Sequence, residues 1–511
     1  MAVSRRGRWA YLALLVALPM AGCGTRVSDA RIDAADGSAR SAVTQTEATA
    51  AASDSPFDAV AAAPVGAAAA PAADSAAVPA AGSTVGAAPA PGVVAGGTAA
   101  DVKATKAGKV KTAAAGVPVA AAAAAVATGP NSPCKATLTP VVLGQTAPTS
   151  GIIGASTANL RTGLALWVRA VNARGGVQCH PVAMYQMDDG ADPARVTSNL
   201  TELVKNKHAI AIIAAGIPTT FPAGQTFADK NKIPFVGGDL IEPAWFKDQW
   251  MFPQGGSALA AYAGGIREAA RSVNAKTAGL VYCVEASICG TINKNFEAMA
   301  TQSGLTTVLR KVSSITNPDY TAECQALKSA KAEVVFYSLE GAGSGRMARS
   351  CRALNYTPPV ATAALAVSAT ASEDPNLRAQ GVYLGTGDAP FTASDTPGAQ
   401  EFQAAYNTYA PGSQVDEDSI NAWTSGKLFE AAIAKVYSDA RSGPITTQML
   451  LEGLWQIDGE TLHGLAPPLD FNKGAPATRN DCYFSLTITE KGYGSPKGSK
   501  YECFKGLPTG F

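Results

Sequence analysis

The chain has 511 residues, a formal net charge of +1 at pH 7 and only 16% charged residues. A charge this balanced gives no reason to expect nucleic acid as a partner. The one basic cluster, from Lys103 to Lys111, lies in an alanine-rich region and is interpreted as part of a solvated linker.

The first residues have the order of a secretory signal. Arg5, Arg6 and Arg8 precede an apolar run over residues 9–21, and small residues follow. The run is shorter than the roughly 20 apolar residues that a membrane-spanning helix needs. Residues 1–23 are therefore predicted to be an export signal that ends in a cysteine, Cys23.

The sequence Ala21-Gly22-Cys23 resembles a bacterial lipobox, in which the cysteine is lipidated after cleavage. Met20 stands where Leu, Val or Ile is usual. A diacylglyceryl group on Cys23 would supply the two acyl chains that stable anchoring needs. The resemblance implies a lipoprotein held at the cell membrane, outside the cytoplasm. The alternative is a secreted protein that has a cysteine near its cleavage site.

Residues 24–130 are dominated by Ala, with Pro, Gly, Ser and Thr, and contain almost no large apolar side chains. Such a segment cannot bury enough surface to offset the entropy of ordering it. It is predicted to be a disordered tether, which as a flexible chain spans roughly 60 Å. The tether would let the folded part, residues 131–511, work away from the membrane.

The remaining cysteines indicate disulfide bonds. Eight of them follow the tether, and an even number in an exported chain favours disulfides over a metal site. No pair has C-x-x-C spacing, and the chain has only three histidines to add as ligands, so no bound metal is expected. Eight cysteines can pair in on the order of a hundred ways, so the pairing stays open. Neighbouring order favours Cys134–Cys179, Cys283–Cys289, Cys324–Cys351 and Cys482–Cys503.

From Cys134 onward, strand and helix patterns alternate. Strands are predicted at "ATLTPVVLGQTAP", "HPVAMYQMDDG", "AIAIIAAG", "IPFVGGD", "TAGLVYC", "LTTVLRKVS" and "AEVVFYSLE". Helices are predicted at "ASTANLRTGLALWVRAVNARGG", "DPARVTSNLTELVKNK", "PTTFPAGQTFADKNK", "ALAAYAGGIREAARSVN", "TINKNFEAMATQSG", "PDYTAECQALKSAK" and "GRMARSCRALN". Repeated β-α units indicate parallel sheets with helices on both faces. The length exceeds one comfortable core, so two α/β lobes are expected.

The stretch from Leu143 to Val196 resembles the opening of the branched-chain amino acid binding protein family, the type I periplasmic binding proteins of ABC importers. The shared features are "P-x-S-G" at Pro148, Ser150 and Gly151, "N-A-x-G-G" ending at Gly176, and the pair Asp188-Asp189. The similarity extends over roughly residues 136 to 490.

The resemblance implies a monomer of two lobes, joined by three crossovers, that close on a small polar solute and deliver it to ABC permease subunits. Lobe one is expected at about 134–254 and 386–465, and lobe two at about 255–385 and 466–511. The alternative is a tethered sensor or scaffold with the same fold that delivers its closed state to a receptor.

The amino-acid anchors of that family are mostly absent here. Thr219 and Thr220 match the hydroxyl-bearing loop after the third strand, but the main anchoring Ser falls at Ile217. Gly238 keeps a carbonyl at the next anchor, and the Asp that receives the ammonium falls at Gly255.

Three carboxylates are candidate replacements for the missing anchors. Asp239, Glu285 and Glu340 would favour a cation or an amine, and their alternative roles are solvated loop carboxylates or helix caps. Ser150 and Ser156, in the first loop, are further candidate ligand contacts. Asp188 and Asp189 are expected to be turn and helix-cap residues.

Enzymatic motifs are missing from the sequence. It contains no G-x-S-x-G elbow, no H-E-x-x-H and no P-loop, because "GAGSGR" lacks the Lys-Ser/Thr ending. We therefore expect a binding protein with no catalytic residues and no cofactor.

Overall fold

The computed structural model describes residues 133–151 and 153–508. The predicted signal region with Cys23 and the predicted tether, residues 24–130, lie outside the described residues. The strands are β1 Val141–Ala147, β2 Val182–Asp188, β3 Ile212–Ala215, β4 Phe235–Gly238, β5 Met251–Phe252, β6 Thr277–Tyr282, β7 Thr306–Val312, β8 Val334–Ser338, β9 Val360–Ala363, β10 Val382–Thr386, β11 Cys482–Thr489, β12 Gly492–Gly494 and β13 Glu502–Cys503.

The α-helices are α1 Gly154–Ala173, α2 Pro193–Thr201, α3 Phe221–Asn231, α4 Ala258–Val273, α5 Ser287–Gln302, α6 Thr321–Ser329, α7 Gly341–Ala353, α8 Pro375–Gln380, α9 Pro397–Tyr409, α10 Glu417–Lys435, α11 Tyr437–Ala440 and α12 Thr447–Leu454. A π-helical turn, Glu202–Asn206, follows α2, and short 3₁₀ turns occur at Pro243–Phe246, Ala364–Ala366, Ala369–Glu373 and Leu462–Gly464. Across the described residues, no helix combines the length and the apolar character that crossing a membrane requires.

Lobe one is built on a five-stranded parallel sheet in the order β2-β1-β3-β4-β5. Strand β3 is a continuous apolar run in which every residue is buried, as expected for a sheet covered on both faces. Helices α1 and α10 cover one face, where Trp167 packs edge-on against Phe429 with ring centroids 6.2 Å apart. This helix pair places the start of α1 beside the carboxyl ends of the strands.

Lobe two is built on a larger sheet in the order β12-β11-β10-β9-β8-β6-β7. The strands from β6 to β10 run parallel, whereas β11 pairs antiparallel with β10, and β12 and β13 pair antiparallel with β11. The predicted α/β class with two parallel-sheet lobes is confirmed. The antiparallel edge was not predicted, because its strands come from the C-terminal segment, which has no βα repeat.

The chain passes between the two sheets three times: after β5, after β10 and before β11. The three passages touch each other, since Gly256 N donates to Gly387 O at 2.9 Å and Ser257 N donates to Asn480 O at 2.7 Å. A Cβ on Gly256 would lie 2.1 Å from the carbonyl oxygen of Cys482, so only glycine fits at this crossing. We call these three passages the hinge. The predicted lobe boundaries stay a prediction.

Buried carboxylates cluster at the hinge. Asp388, Glu417 and Asp418 are each at most 5% exposed, and burial raises the pKa of all three well above the ordinary value. Glu417 also lies near Asp388, and the repulsion between the two carboxylates raises the pKa of Glu417 further. Gln254 Nε2 donates to Asp388 Oδ2 at 3.0 Å. Burial therefore favours the neutral form of these acids.

The described part of the chain contains four disulfides, and they join the pairs that neighbouring order favoured. Their Cα–Cα distances are 5.5 Å for Cys134–Cys179, 5.4 Å for Cys283–Cys289, 5.0 Å for Cys324–Cys351 and 3.9 Å for Cys482–Cys503. The second of these closes the short loop between β6 and α5, at the edge of the sheet where lobe two faces lobe one.

Candidate functional site

A cavity of about 130 Å³ lies between the two lobes. Lobe one lines it with the start of α1 and with the loops that follow β3 and β4. Lobe two lines it with α4, α5 and the segments at the ends of β6, β7, β8 and β9. The carboxyl ends of parallel strands from both sheets therefore face one cavity, which is where open α/β sheets bind ligands. We call this space the cleft.

Apolar side chains form most of the cleft wall. They are Ile153, Pro218, Ile241, Ala286, Ile288, Ile292, Ile315, Leu339, Leu365 and Ala366, joined by the disulfide Cys283–Cys289. Among the described residues that line the cleft there is no Lys, Arg or His. Burying the apolar part of a solute against such a wall is favourable by about 25 cal/mol per Å² removed from water.

Thr362 of β9 is the most unusual polar group in the cleft. Its residue is 1% exposed, and its hydroxyl finds no hydrogen-bond partner within the described part of the chain. A buried polar group without a partner costs about 1–3 kcal/mol, so the wall contains an unsatisfied donor and acceptor at this point. Sequence analysis did not identify Thr362, although a lone hydroxyl in the apolar run "VATA" was a usable signal.

Tyr262 of α4 lies beside the same wall. It is 3% exposed, and its ring packs edge-on against Phe336 with centroids 5.8 Å apart. Burial, followed by the charges of Glu242 and Asp239, raises the pKa of the Tyr262 hydroxyl, which therefore stays protonated. Tyr262 was also not identified from sequence as a cleft residue, because a tyrosine on the apolar face of a helix has the pattern of an ordinary core residue.

The two threonines predicted from the loop after β3 occupy different positions. Thr219 is exposed and lines the cleft. Thr220 is 2% exposed, precedes α3 and lies outside the cleft lining, and its hydroxyl has no partner among the described residues. Both stay predictions as ligand contacts.

Gly238 and Asp239 are not among the residues that line the cleft. The Gly238 N–H and carbonyl are both bonded to the side-chain amide of Gln254, at 3.0 Å each. The Asp239 carboxylate accepts from Ile217 N at 2.6 Å and from Ile241 N at 2.9 Å. Burial raises the pKa of Asp239 to about 7, although these two hydrogen bonds lower it. Asp239 therefore ties the loop after β3 to the loop after β4.

Glu285 lines the cleft but is held by its own loop. Its carboxylate accepts from Val284 N at 3.0 Å, from Ile315 N at 3.2 Å and from the Ser314 hydroxyl. Slight burial raises the pKa of Glu285, but the hydrogen bonds, led by that of Ser314, outweigh it and lower the pKa overall. The ionised side chain of Glu285 therefore connects the loops that follow β6 and β7 through hydrogen bonds.

Glu340 also lines the cleft and caps helix α7. Its carboxylate accepts from Ala342 N at 2.6 Å and from Gly343 N at 2.5 Å, and Arg346 Nη2 lies 3.4 Å away. A carboxylate at a helix N-terminus satisfies free N–H groups and complements the helix dipole. The helix-cap role, one of the two alternatives considered from sequence, is the role its contacts support.

The first loop is stabilised by carboxylates outside the cleft lining. Ser150 is exposed, and its hydroxyl donates to Asp188 Oδ2 at 2.6 Å. Some burial raises the pKa of Asp188, but hydrogen bonds led by that of Ser150 lower it to about 2. Asp189 accepts from the Thr146 hydroxyl at 2.7 Å. The side chain of Ser156, on α1, lies outside the described part of the structure.

One contact crosses between the lobes beside the cleft. The Ser287 hydroxyl, at the start of α5, donates to Glu242 Oε1 of lobe one at 2.6 Å. Their neighbours Ala286 and Ile241 line the cleft. Burial raises the pKa of Glu242, although the Ser287 bond lowers it. Neither residue was identified from sequence, because the contact joins positions 45 residues apart on different lobes.

The cleft has the features of a binding site. Its wall is mostly apolar, its two carboxylates accept hydrogen bonds from the protein, and the buried Thr362 hydroxyl has no partner among the described residues. Within residues 133–151 and 153–508, no group of three or more His, Cys, Asp or Glu side chains is arranged to hold a metal ion. The arrangement can enclose a small molecule and can offer it a hydrogen bond.

Residues 140–485 match the family described as periplasmic binding protein. A fatty acid ABC transporter substrate-binding protein from Thermomonospora curvata is similar in structure, with 20% identity, a TM-score of 0.58, and 72% of this chain and 94% of that chain covered. The branched-chain amino acid transporter substrate binding protein from Streptococcus pneumoniae, in complex with isoleucine, has 15% identity and a TM-score of 0.58, over 72% of this chain and 100% of that chain.

A solute binding protein from R. palustris, in complex with benzoate, has 15% identity and a TM-score of 0.56, with 72% of this chain and 98% of that chain covered. At these identities the structural likeness shows the fold. A search of curated proteins found no match.

Proposed function

The chain belongs to the periplasmic binding protein family, and from this we propose that it captures a small solute outside the cytoplasm and delivers it to the permease subunits of an ABC importer. The observation that carries the proposal is the cleft, where strand ends from two hinged sheets face one apolar cavity. Closing such lobes around a ligand is a hinge motion. The solved relatives named above are binding proteins for isoleucine, benzoate or, by name, fatty acids.

The hinge supports capture by closure. Three passages of chain connect the lobes, and glycines allow these passages to lie in contact. The contact between Glu242 and Ser287 joins the lobes on the cleft side, away from any covalent link. Solute bound between the lobes would contact both of them, so binding would stabilise the closed arrangement.

We propose further that Cys23 carries a lipid and that residues 24–130 form a tether to the membrane. A tethered binding protein is well placed to meet a permease in the same membrane, because confinement raises its effective concentration there. We expect a monomer, with no nucleic acid partner.

Photo-cross-linking of the full chain in its own cells tests the delivery step. A photoreactive residue is placed at Lys230 on α3 of lobe one or at Glu297 on α5 of lobe two, both exposed. We expect cross-links to permease subunits from one or both positions. Cross-links to a receptor or sensor kinase instead would contradict delivery to an importer and favour the sensor alternative.

A further inference from the structure

The loop that follows β4 in lobe one carries two carboxylates, Asp239 and Glu242, at the boundary with lobe two. Glu242 Oε1 accepts from the Ser287 hydroxyl of α5 at 2.6 Å. Tyr262 of α4 lies close enough to both carboxylates for their charges to raise the pKa of its hydroxyl. We call residues 239–242 the acidic loop. In the closed arrangement this loop of lobe one therefore faces α4 and α5 of lobe two.

A small void lies beside Asp239 at the same boundary. Its volume is about 10 Å³, close to the least that one water molecule needs, and Asp239 itself is 1% exposed. Asp388 of the hinge lines the void, and lobe two contributes Ala258, Ala261 and Leu365. Because these three apolar residues belong to lobe two, separating the lobes would draw them away from Asp239 and admit water.

Acids and a phenol face the acidic loop from neighbouring elements. Asp418 of α10 interacts electrostatically with Asp239, and Tyr262 of α4 interacts with both carboxylates of the loop. Lys247 and Arg479 line a separate cavity, and neither is among the residues that line the void. The wall of the void therefore supplies no cation to compensate the charge of Asp239 when water leaves.

Loss of water acts on the protonation of both carboxylates. Burial raises the pKa of Asp239 to about 7, although hydrogen bonds from Ile241 N and Ile217 N lower it. Burial also raises the pKa of Glu242, although the bond from Ser287 lowers it. In an open arrangement water would reach the acidic loop and return both pKa values toward the ordinary range. The closed arrangement therefore binds more protons than the open one.

On the basis of the proposed capture by closure, we propose that the acidic loop couples closing of the lobes to proton uptake, so that acidic pH favours capture of the solute and higher pH favours its release. The contribution of Asp239 to closure is fully present below about pH 4 and is lost as the pH rises to about 7. A solute that binds the closed arrangement is then held more tightly at low pH, whatever its chemical class.

Förster energy transfer across the lobes tests the coupling in the full chain, without any solute. Donor and acceptor dyes are attached through unnatural amino acids at Lys230 on α3 and Glu297 on α5, both exposed. We expect the ratio of closed to open molecules to fall about tenfold or more between pH 5 and pH 8. A ratio that stays constant, or that rises with pH, would overturn the inference.

Two variants locate the effect. Asp239→Asn is expected to remove most of the change in the ratio between pH 5 and pH 8. Glu242→Gln, which keeps an acceptor for the Ser287 hydroxyl, is expected to remove part of it. Glu452→Gln and Asp458→Asn, both at exposed positions of lobe one, are the matched controls and should keep the wild-type pH profile.

A wild-type pH profile in both Asp239→Asn and Glu242→Gln would overturn the role of the acidic loop. If Asp239→Asn does not fold, the profile of the half-buried Glu242→Gln decides. Cross-links to permease subunits together with a ratio that is independent of pH would overturn this inference and leave the proposed function standing, so the two failures are distinguishable.

Discussion

The Ser287 hydroxyl of lobe two donates to the Glu242 carboxylate of lobe one at 2.6 Å. This hydrogen bond crosses between the lobes, next to residues that line the cleft, and helix α5 begins there without a side-chain cap of its own. It joins two surfaces that must separate for a solute to enter. We expect the pair to stabilise the closed arrangement.

Ser287→Ala is therefore predicted to favour the open arrangement and to weaken solute affinity. The contact is exposed, so we expect an effect of about twofold to fivefold. Solution scattering of the solute-free protein would show a larger radius of gyration, and titration would show the affinity. Ser438→Ala, an exposed serine on α11, is the control. Equal radius and affinity in Ser287→Ala and wild type would contradict the role assigned to the contact.

Stability is predicted to fall as pH rises through the neutral range. Burial raises the pKa of Asp239 from 3.8 to about 7, so the folded chain holds a proton that the unfolded chain has lost. The contribution of Asp239 to the free energy of unfolding is therefore highest below about pH 4. It declines by roughly 4 kcal/mol as the pH rises to about 7. The raised pKa values of Asp388, Glu417 and Asp418 act in the same direction.

Urea unfolding of the full chain at pH 5 and pH 8 measures this slope. Asp388→Asn removes one of the buried acids. We expect the free energy of unfolding of this variant, relative to that of wild type, to be higher at pH 8 than at pH 5. The lowered pKa values of Asp188 and Glu502, both about 2, have the opposite sign and reduce stability below about pH 4. Greater stability at pH 8 than at pH 5 would contradict the raised pKa values of Asp239 and of the buried acids at the hinge.

Two glycines in helices are predicted to respond oppositely to alanine. A Cβ at Gly163 of α1 would lie 2.0 Å from Ser419 O of α10, so Gly163→Ala forces these helices apart. A Cβ at Gly290 of α5 meets nothing within 4 Å. We expect Gly163→Ala to cost about 2 kcal/mol or more, and Gly290→Ala to stabilise by up to about 1 kcal/mol through helix propensity. Equal changes in denaturant midpoint would contradict the close packing of α1 on α10.

The disulfides are predicted to differ in the stability that they contribute. Cys134–Cys179 spans 45 residues and Cys283–Cys289 spans 6. In the chain-entropy account, replacing both cysteines by serine costs about 4 kcal/mol for the first pair and about 2 kcal/mol for the second. Denaturant unfolding of the two double variants gives the order. Because Cys283–Cys289 lines the cleft, we also expect its loss to weaken solute binding, and the loss of Cys134–Cys179 to leave binding unchanged.

Much of the fold was predictable because it is encoded locally. The apolar run of β3 and the periodic face of α1 each specify their own element, and alternating elements specify parallel sheets. The membership in the periplasmic binding protein family confirms the resemblance seen from Leu143 onward. The antiparallel pairing of β11 with β10 could not be seen in the same way, because helices α9 to α12 separate these two strands in the sequence and such pairing leaves no local pattern.

The candidate site was less predictable than the fold, because its features depend on contacts between distant segments. Asp239 is a candidate ligand contact from sequence, and only the structure shows that its carboxylate accepts from Ile217 N and Ile241 N. Glu340 caps α7, and the glycine-rich helix start that follows it in the sequence is compatible with this role. The role of Glu242 in joining the lobes is visible only in the structure, where Ser287 of the other lobe donates to it.

Thermal unfolding of the full chain against a panel of uncharged solutes and amino acids, in wild type and in Ala366→Trp, tests solute capture most directly. Ala366 is half-buried and lines the cleft, so a tryptophan there fills the cavity. A solute at 100 times its dissociation constant adds about 2.7 kcal/mol, and we predict a raised midpoint in wild type and no rise in Ala366→Trp. No rise in wild type across the panel, or an equal rise in both proteins, would contradict binding in the cleft.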